Sequence, residues 1–279
     1  MSHRPSVFAH LLPGLIPSGA LEGGVAVVID ILRATTTMIH ALAAGCESII
    51  PCLEIEEARQ LFGRYPLGKA ILAGERSGLP IEGFDLGNSP SSFTPARCSG
   101  KSVVMTTSNG TRAIMASMKA DRVLIGSFVN RQATIQALKA DGRPIHLICA
   151  GTEGEISLED SIFAGSIADE MDAWGWDRAG TADEGRMIAS PLANDQAEIA
   201  AALWRETEAM MDEGASLAEA LADGRGGRRI LEIDLQEDLE DAAQIDRFSF
   251  AAELLRDPTR IVPATDGSGP RLRLFNAGD

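Results

Sequence analysis

Short apolar runs alternate along the chain with segments whose apolar residues recur at helical spacing. The runs Gly24 to Ile31, Ser48 to Pro51, Ala70 to Ala73, Ser102 to Thr106, Arg122 to Ile125 and Ile145 to Ala150 are rich in Val, Ile or Leu, and most lie close to Gly or Pro. Continuous apolar runs of this length fit parallel strands covered on both faces. Between them, Ala34 to Ala44, Ile55 to Phe62, Thr111 to Lys119 and Arg131 to Ala140 read as helices. The alternation predicts an α/β protein with helices on both sides of a sheet. Beyond residue 150 the pattern is more helical. Leu158 to Trp174 and Asn194 to Met211 are amphipathic, with Asn194 as N-cap of the second, and Ser216 to Ala222 and Glu237 to Ile245 are shorter. Arg260 to Ala264 and Arg271 to Phe275 read as closing strands. No fixed-period repeat and no long linker divides residues 1–279, which read as a single unit. Val25 to Ala44 and Ile145 to Ala168 share a strand, polar loop and helix, so a division into two similar halves, 1–140 and 141–279, stays open.

Composition narrows the function classes. Apolar residues make up 45% of the chain, enough for a sizeable core. The formal net charge of -15 opposes nucleic acid and anionic membranes, and the densest basic spot is only Arg225-Gly226-Gly227-Arg228-Arg229. An anionic small molecule would need a few focused cations. Arginine, which outnumbers lysine here, supplies the forked grip that oxyanions favour. Cys46, Cys52, Cys98 and Cys149 show neither C-x-x-C nor zinc-finger spacing and read as reduced thiols. With four histidines, a histidine-rich metal site is not expected. No basic start with a long apolar run, and no stretch near the ~20 apolar residues of a membrane span, is present, so a cytoplasmic protein is expected.

Four strand ends share one vocabulary of acid, arginine, hydroxyl and glycine. The first, Asp30-Ile31-Leu32-Arg33-Ala34-Thr35-Thr36-Thr37, passes from an apolar strand into a helix. Ligands of open parallel sheets bind outside strand carboxyl ends, and helix N-termini favour phosphate. Asp30 is then placed to hold a cation, Arg33 to fork onto two oxygens, and Thr35 and Thr36 to donate to an anion. The other reading has Thr35 capping the helix and Arg33 pairing with a surface carboxylate. The second loop carries Glu75, Arg76, Asp85 and Asn88 between Ala73 and Pro90, long enough to suggest function. The third, Met105 to Arg112, turns at Asn109-Gly110 into a helix near Thr111. Its backbone donors can cup an oxyanion, and Arg112 sits where a cation opposes the helix dipole unless an anion binds. The fourth, Cys149 to Gly154, precedes Glu159 and Asp160, which serve either helix stability or a metal. Cys149 has no nearby histidine and reads as a small buried residue rather than a nucleophile. Gly63 to Lys69 imitates a P-loop, but Ala70 replaces its Ser or Thr and the flanking order is helix then strand. If the strands are parallel and adjacent, the four loops meet on one edge. Carboxylates and hydroxyls without histidine suit a hard cation such as Mg2+.

The segments V-V-I-D-I-L-R-A-T-T-T, G-E-R-S-G, G-F-D-L-G-N-S-P, T-T-S-N-G-T-R-A, C-A-G-T and S-L-E-D-S-I-F-A-G occur in the order found in the 2-phosphosulfolactate phosphatase (ComB) family, which the chain resembles closely from Val25 to Gly165 and more loosely from Gly227 to Pro263. Ser108 stands where a third threonine is common. The resemblance implies a three-layer α/β/α fold, a Mg2+ requirement, and hydrolysis of 2-phosphosulfolactate to sulfolactate and phosphate, a reaction of coenzyme M biosynthesis. It also implies roles. Asp30 and Glu75 lead the metal ligands, with Asp85, Glu159 and Asp160 as further candidates. Arg33, Arg76, Thr35 and Thr36 would hold the phosphate, and Asn88, Asn109, Gly110 and Thr111 would add contacts. Arg112 would take a second anionic group. The oligomeric state stays open, a homodimer among the options. The alternative is a non-catalytic binding protein for phosphorylated or sulfonated acids.

Overall fold

A computed structural model describes residues 4–174 and 190–265. The strands are β1 (Val7–His10), β2 (Val25–Ile29), β3 (Ser48–Pro51), β4 (Ala70–Arg76), β5 (Leu79–Pro80), β6 (Ser102–Thr106), β7 (Arg122–Gly126), β8 (Ile145–Cys149), β9 (Ala252–Arg256) and β10 (Thr259–Pro263). The helices are α1 (Ala34–Ala43), α2 (Ile55–Phe62), α3 (Pro95–Cys98), α4 (Gly110–Ala116), α5 (Arg131–Asp141), α6 (Leu158–Ala173), α7 (Asp195–Asp212), α8 (Leu217–Ala222), α9 (Arg225–Glu232) and α10 (Gln236–Ala242). All strands join one sheet in the order β1-β8-β2-β7-β9-β10-β3-β6-β4-β5.

The sheet has two parallel groups of opposite direction. β1, β8, β2 and β7 run together, as do β3, β6 and β4. The β9–β10 hairpin lies between them, antiparallel to β7 on one side and to β3 on the other. The expectation of a single parallel edge is therefore corrected. Two crossovers, β2 to β3 through α1 and β6 to β7 through α4, link the groups and start side by side. A Cβ at Gly110 would lie 2.6 Å from the Ala34 Cβ and 2.8 Å from Asp30 Oδ2. The carboxyl ends of opposed strands meet at that junction.

Side-chain alternation builds the layers. In β2, Val25, Val27 and Ile29 face a cluster with Phe128, with Phe163 and Ile167 of α6, and with Trp204 of α7. Ala26 and Val28 face the opposite cluster, where Met38 and Ile39 of α1 and Ile114 of α4 meet Ile71, Val103 and Met105 of the second strand group. Leu72 and Val104 on the far face of that group pack with Ala58 of α2. Fully buried apolar strands with helices on both sides give the three-layer α/β/α arrangement. α6 and α7 pack closely enough that a Cβ at Gly165 would strike the Ala200 carbonyl.

Most expected elements fall within a residue or two of their places. Asn194 caps α7, its Oδ1 accepting from the Ala197 N–H at 3.1 Å, and Ser216 with Glu219 forms a capping box at α8. The segment 111–119 divides into α4 and a tighter turn at Ser117–Lys119. β1, β5, α3, β9 and α9 were not anticipated. The expected strand Arg271 to Phe275 lies outside the described residues.

Candidate active site

A cavity of about 460 Å³ opens where the two strand groups meet. Four strand ends supply its wall: Asp30, Leu32 and Arg33 after β2, Glu75 to Gly78 at β4, Thr107 to Asn109 with Arg112 after β6, and Thr152 to Gly154 after β8. Leu53, Glu54 and Asn88 complete the strand side, and Gly226, Arg229 and Ile230 of α9 close the other. Arg33, Arg76, Arg112 and Arg229 face Asp30, Glu54, Glu75 and Glu153, so the wall is formally neutral in a protein of net charge -15. That is the local concentration of cations an anionic ligand requires.

Asp30 is 7% exposed. The Ala34 N–H donates to its Oδ1 at 3.2 Å, and its own backbone is knotted to Thr35, whose hydroxyl donates to the Asp30 carbonyl at 2.9 Å. Burial pushes the Asp30 carboxyl up to about 7; the Ala34 N–H opposes the shift, Glu75 and Glu159 add to it, and Arg33 opposes it. Glu75 is bound more fully. Its Oε1 accepts the Ser108 N–H at 2.7 Å, and its Oε2 accepts the Gly78 N–H at 2.7 Å and the Ser108 hydroxyl at 3.3 Å. The carboxylate thereby ties the β4 turn to the β6 turn. Asn88 is buried, and its Oδ1 has no partner. An orphaned polar atom in a cavity wall is the mark of a place where a ligand or ion completes the bonding.

The arginines differ in freedom. Arg33 is buried, donating through Nη1 to Asp238 Oδ2 and through Nη2 to the Gly78 carbonyl, each at 2.6 Å. Asp238, 1% exposed on α10, also accepts the Ser89 hydroxyl. Arg76 reaches the Leu53 carbonyl at 3.0 Å and the Thr106 hydroxyl at 2.9 Å. Arg112 is exposed on the wall and makes no hydrogen bond or ion pair among the described residues.

These strand-end loops are the segments that carried the resemblance, and they converge on one cavity. The family model for 2-phosphosulpholactate phosphatase matches residues 10–256. The chain belongs to this family. Relatives agree over most of their length. The probable 2-phosphosulfolactate phosphatase of Symbiobacterium thermophilum is 37% identical over 229 residues, covering 82% of this chain and 90% of the relative. That of Prochlorococcus marinus (strain MIT 9313) is 37% identical over 237 residues, 84% and 90% of the two chains. That of Caldanaerobacter subterraneus subsp. tengcongensis is 31% identical over 228 residues, 82% and 86%.

Within the family motifs the structure divides the expected residues. Asp30, Arg33, Glu75, Arg76, Asn88, Asn109 and Arg112 line the cavity. Asn109 is tied to the β8 turn, its Oδ1 accepting from the Glu153 N–H at 3.4 Å. Thr35, Thr36 and Thr111 are fully buried behind the wall. The Thr36 hydroxyl donates to the Ile31 carbonyl at 2.9 Å and meets Ser127 Oγ at 2.7 Å. Thr111 bonds with Thr107, 3.2 Å between their hydroxyl oxygens. Their hydroxyls fasten turns instead of facing the cavity, and the backbone takes what the sequence reading assigned to an anion. Gly110 is buried at the α1–α4 junction. Asp85 accepts the Leu72 N–H at 2.8 Å and closes the return of the loop onto β4.

Glu159 and Asp160 also stand behind the wall. Asp160 Oδ1 accepts the Ile31 N–H at 2.8 Å and Oδ2 the Gly151 N–H at 3.0 Å, clamping the loops after β2 and β8 together. Burial raises its carboxyl well above the ordinary range, with Asp30 and Glu159 adding to the shift. Burial also raises Glu159, whose Oε2 has no partner. Among the described residues no group of three or more His, Cys, Asp or Glu side chains is placed to hold a metal ion. Cys149 is a free thiol, fully buried, and burial raises it well above the ordinary thiol range, which opposes a nucleophilic role. Sequence reasoning missed α9 and Asp238. The basic spot at Arg225 to Arg229 was visible in the chain, but nothing local linked it to loops 72 and 152 residues away.

Proposed function

We propose that this protein hydrolyses a small phosphorylated acid, most specifically 2-phosphosulfolactate, to the free acid and inorganic phosphate with the help of Mg2+. The observation that carries the reading is the buried Asp30 carboxyl in a cavity ringed by arginines, at the junction of two strand groups. The family and its relatives' names support hydrolysis over binding alone. Four buried free thiols support a cytoplasmic setting, and no helix among the described residues is long and apolar enough to cross a membrane.

The donor set fits the cation in a particular way. Mg2+ is commonly held by one or two carboxylates together with substrate phosphate and water, not by a full cage of protein ligands. Asp30 has an uncommitted Oδ2, Asn88 an orphaned Oδ1, and Glu75 lies on the same wall. A carboxyl pushed up by burial and by neighbouring acids is one whose ionised form a cation restores. Asp30 and Glu75, with Asn88, would hold the metal, which when bound polarises the phosphoryl group and screens it from the carboxylates.

The protein's own residues supply position and charge. Arg33 is fixed in direction by Asp238 and Gly78, and its remaining N–H donors meet phosphate oxygens without reorganising. Arg76, braced on Leu53 and Thr106, flanks the phosphate from β4. Asn109 adds its amide donors, and Arg112 takes a second acid group of the substrate. One of the cavity carboxylates receives the proton of the attacking water. The test is phosphate release from 2-phosphosulfolactate by purified protein. Release with Mg2+ and its loss on chelation are expected. Tight binding without release would sink the hydrolase reading and favour a binding protein.

A further inference from the structure

We propose that Arg229 of α9 is a specificity residue that receives an acid group of the substrate beyond the phosphate and the group met by Arg112. The proposal rests on the hydrolase reading above for its choice of ligand. Its geometry comes from a turn. Ser77 and Gly78 both have positive φ, 52° and 83°, and their successive carbonyls each accept a guanidinium. The Gly78 carbonyl accepts Arg33 Nη2 at 2.6 Å and the Ser77 carbonyl accepts Arg229 Nη2 at 3.4 Å. Two guanidinium groups thus share one turn at the cavity, Arg33 from the strand side and Arg229 from α9.

Their charges are balanced differently. Arg33 is countered by the buried Asp238, whereas Arg229 pairs at 3.2 Å with Glu232, the two side chains being 47% and 65% exposed. Such a solvated pair contributes little and is readily exchanged. The Arg229 guanidinium is therefore available to an anion, and its bond to the Ser77 carbonyl holds it beside the β4 turn.

The placement of α9 is built in. A Cβ at Gly226 would lie 1.9 Å from Glu159 Oε1, and one at Gly224 would lie 2.6 Å from Glu159 Oε2. Only glycine lets the start of this helix seat directly against the buried Glu159 carboxyl. Glu159 thereby acts as a positioning residue that fixes the helix bearing Arg229. Both Arg229 and Ile230 reach the cavity from it. A substrate with only a phosphate leaves Arg229 unused. A phosphorylated molecule with two further acid groups uses Arg33, Arg112 and Arg229 together.

Calorimetric binding of sulfolactate and of inorganic phosphate to wild type, Arg229→Ala and Arg229→Lys tests this without requiring turnover. Loss of one charge-assisted contact predicts a rise of about tenfold or more in the sulfolactate Kd for Arg229→Ala. The Arg229→Lys variant, which keeps charge without the fork, should fall between. The phosphate Kd should stay within about twofold, because its contacts lie on other residues. Unchanged sulfolactate binding, or equal weakening of both ligands, overturns the assignment. Absence of phosphate release by the wild type, with this binding pattern intact, would count against the hydrolase reading alone.

Discussion

Asp30 and Asp160 make an instructive pair. Both are buried aspartates beside the ends of neighbouring parallel strands, and burial raises both carboxyls. Asp160 spends both oxygens on backbone N–H groups of the β2 and β8 loops. Asp30 spends one on Ala34 and turns into the cavity. The same residue type is a clamp in one place and a site group in the other, and the difference lies in which backbone donors the fold brings within reach.

Replacing each aspartate should separate the roles. Asp30→Asn keeps the shape and the Ala34 bond but removes the charge from the cavity. Turnover should fall by roughly a hundred- to a thousandfold, as expected for loss of a group acting on the reacting centre, while circular dichroism and cooperative melting persist. Asp160→Ala instead leaves two buried N–H groups unpaired and should destabilise the fold by about 2–5 kcal/mol in denaturant titration. Near-normal turnover in Asp30→Asn, or normal stability in Asp160→Ala, would break the contrast.

Arg33 and Asp238 sharpen it at the next level. Asp238→Ala strands a buried guanidinium and should lower stability by about 3–5 kcal/mol. Replacing both by apolar residues of similar size, as in Arg33→Met with Asp238→Leu, should recover much of that loss. Turnover should not return, because the recovered packing carries no phosphate grip. Recovery of activity along with stability would make Arg33 purely structural.

The pH dependence of stability distinguishes Asp30 by sign. Its carboxyl rises from the ordinary 3.8 to about 7 on folding, so the folded chain holds that proton more tightly than the unfolded chain. Above pH 7 the group is ionised in both states and folding carries the full burial penalty; as pH falls from 7 toward 4 the folded state takes up the proton and the penalty is relieved. In metal-free protein, Asp30→Asn should therefore raise the melting temperature by a few degrees at pH 8 and by much less at pH 5. A gain at pH 5 equal to that at pH 8 would contradict the shift. The smallest effect is expected from Cys149→Ala, whose kcat should remain within about threefold of wild type, since its buried thiol does no chemistry.

Much of this arrangement could be read from the chain, and the failures have physical causes. Ser48–Pro51 and Ser102–Thr106 were readable because interior strands of a covered sheet are apolar on both faces. β9, Ala-Glu-Leu-Leu-Arg, is partly exposed and carries charge, so its pattern names no element by itself. β1 is only four residues long and includes Phe8 and His10, which stack on or beside His146. The opposed direction of the two strand groups depends on where α1 and α4 deliver the chain, which no local pattern encodes. Acid and arginine at strand ends located the cavity. Which hydroxyls turn inward, as at Thr35 and Thr36, depends on backbone groups visible only after folding. Asp238 and Arg229 come from helices distant in sequence, Asp238 joined to the loops through Arg33 and Ser89 and Arg229 through the β4 turn.

The most direct measurement is anomalous scattering from a crystal soaked in Mn2+, a Mg2+ substitute, together with phosphate. One strong peak is expected inside the cavity, coordinated directly by Asp30, with phosphate beside Arg33. A peak held by Glu159 and Asp160 behind the wall, with none at Asp30, would contradict it.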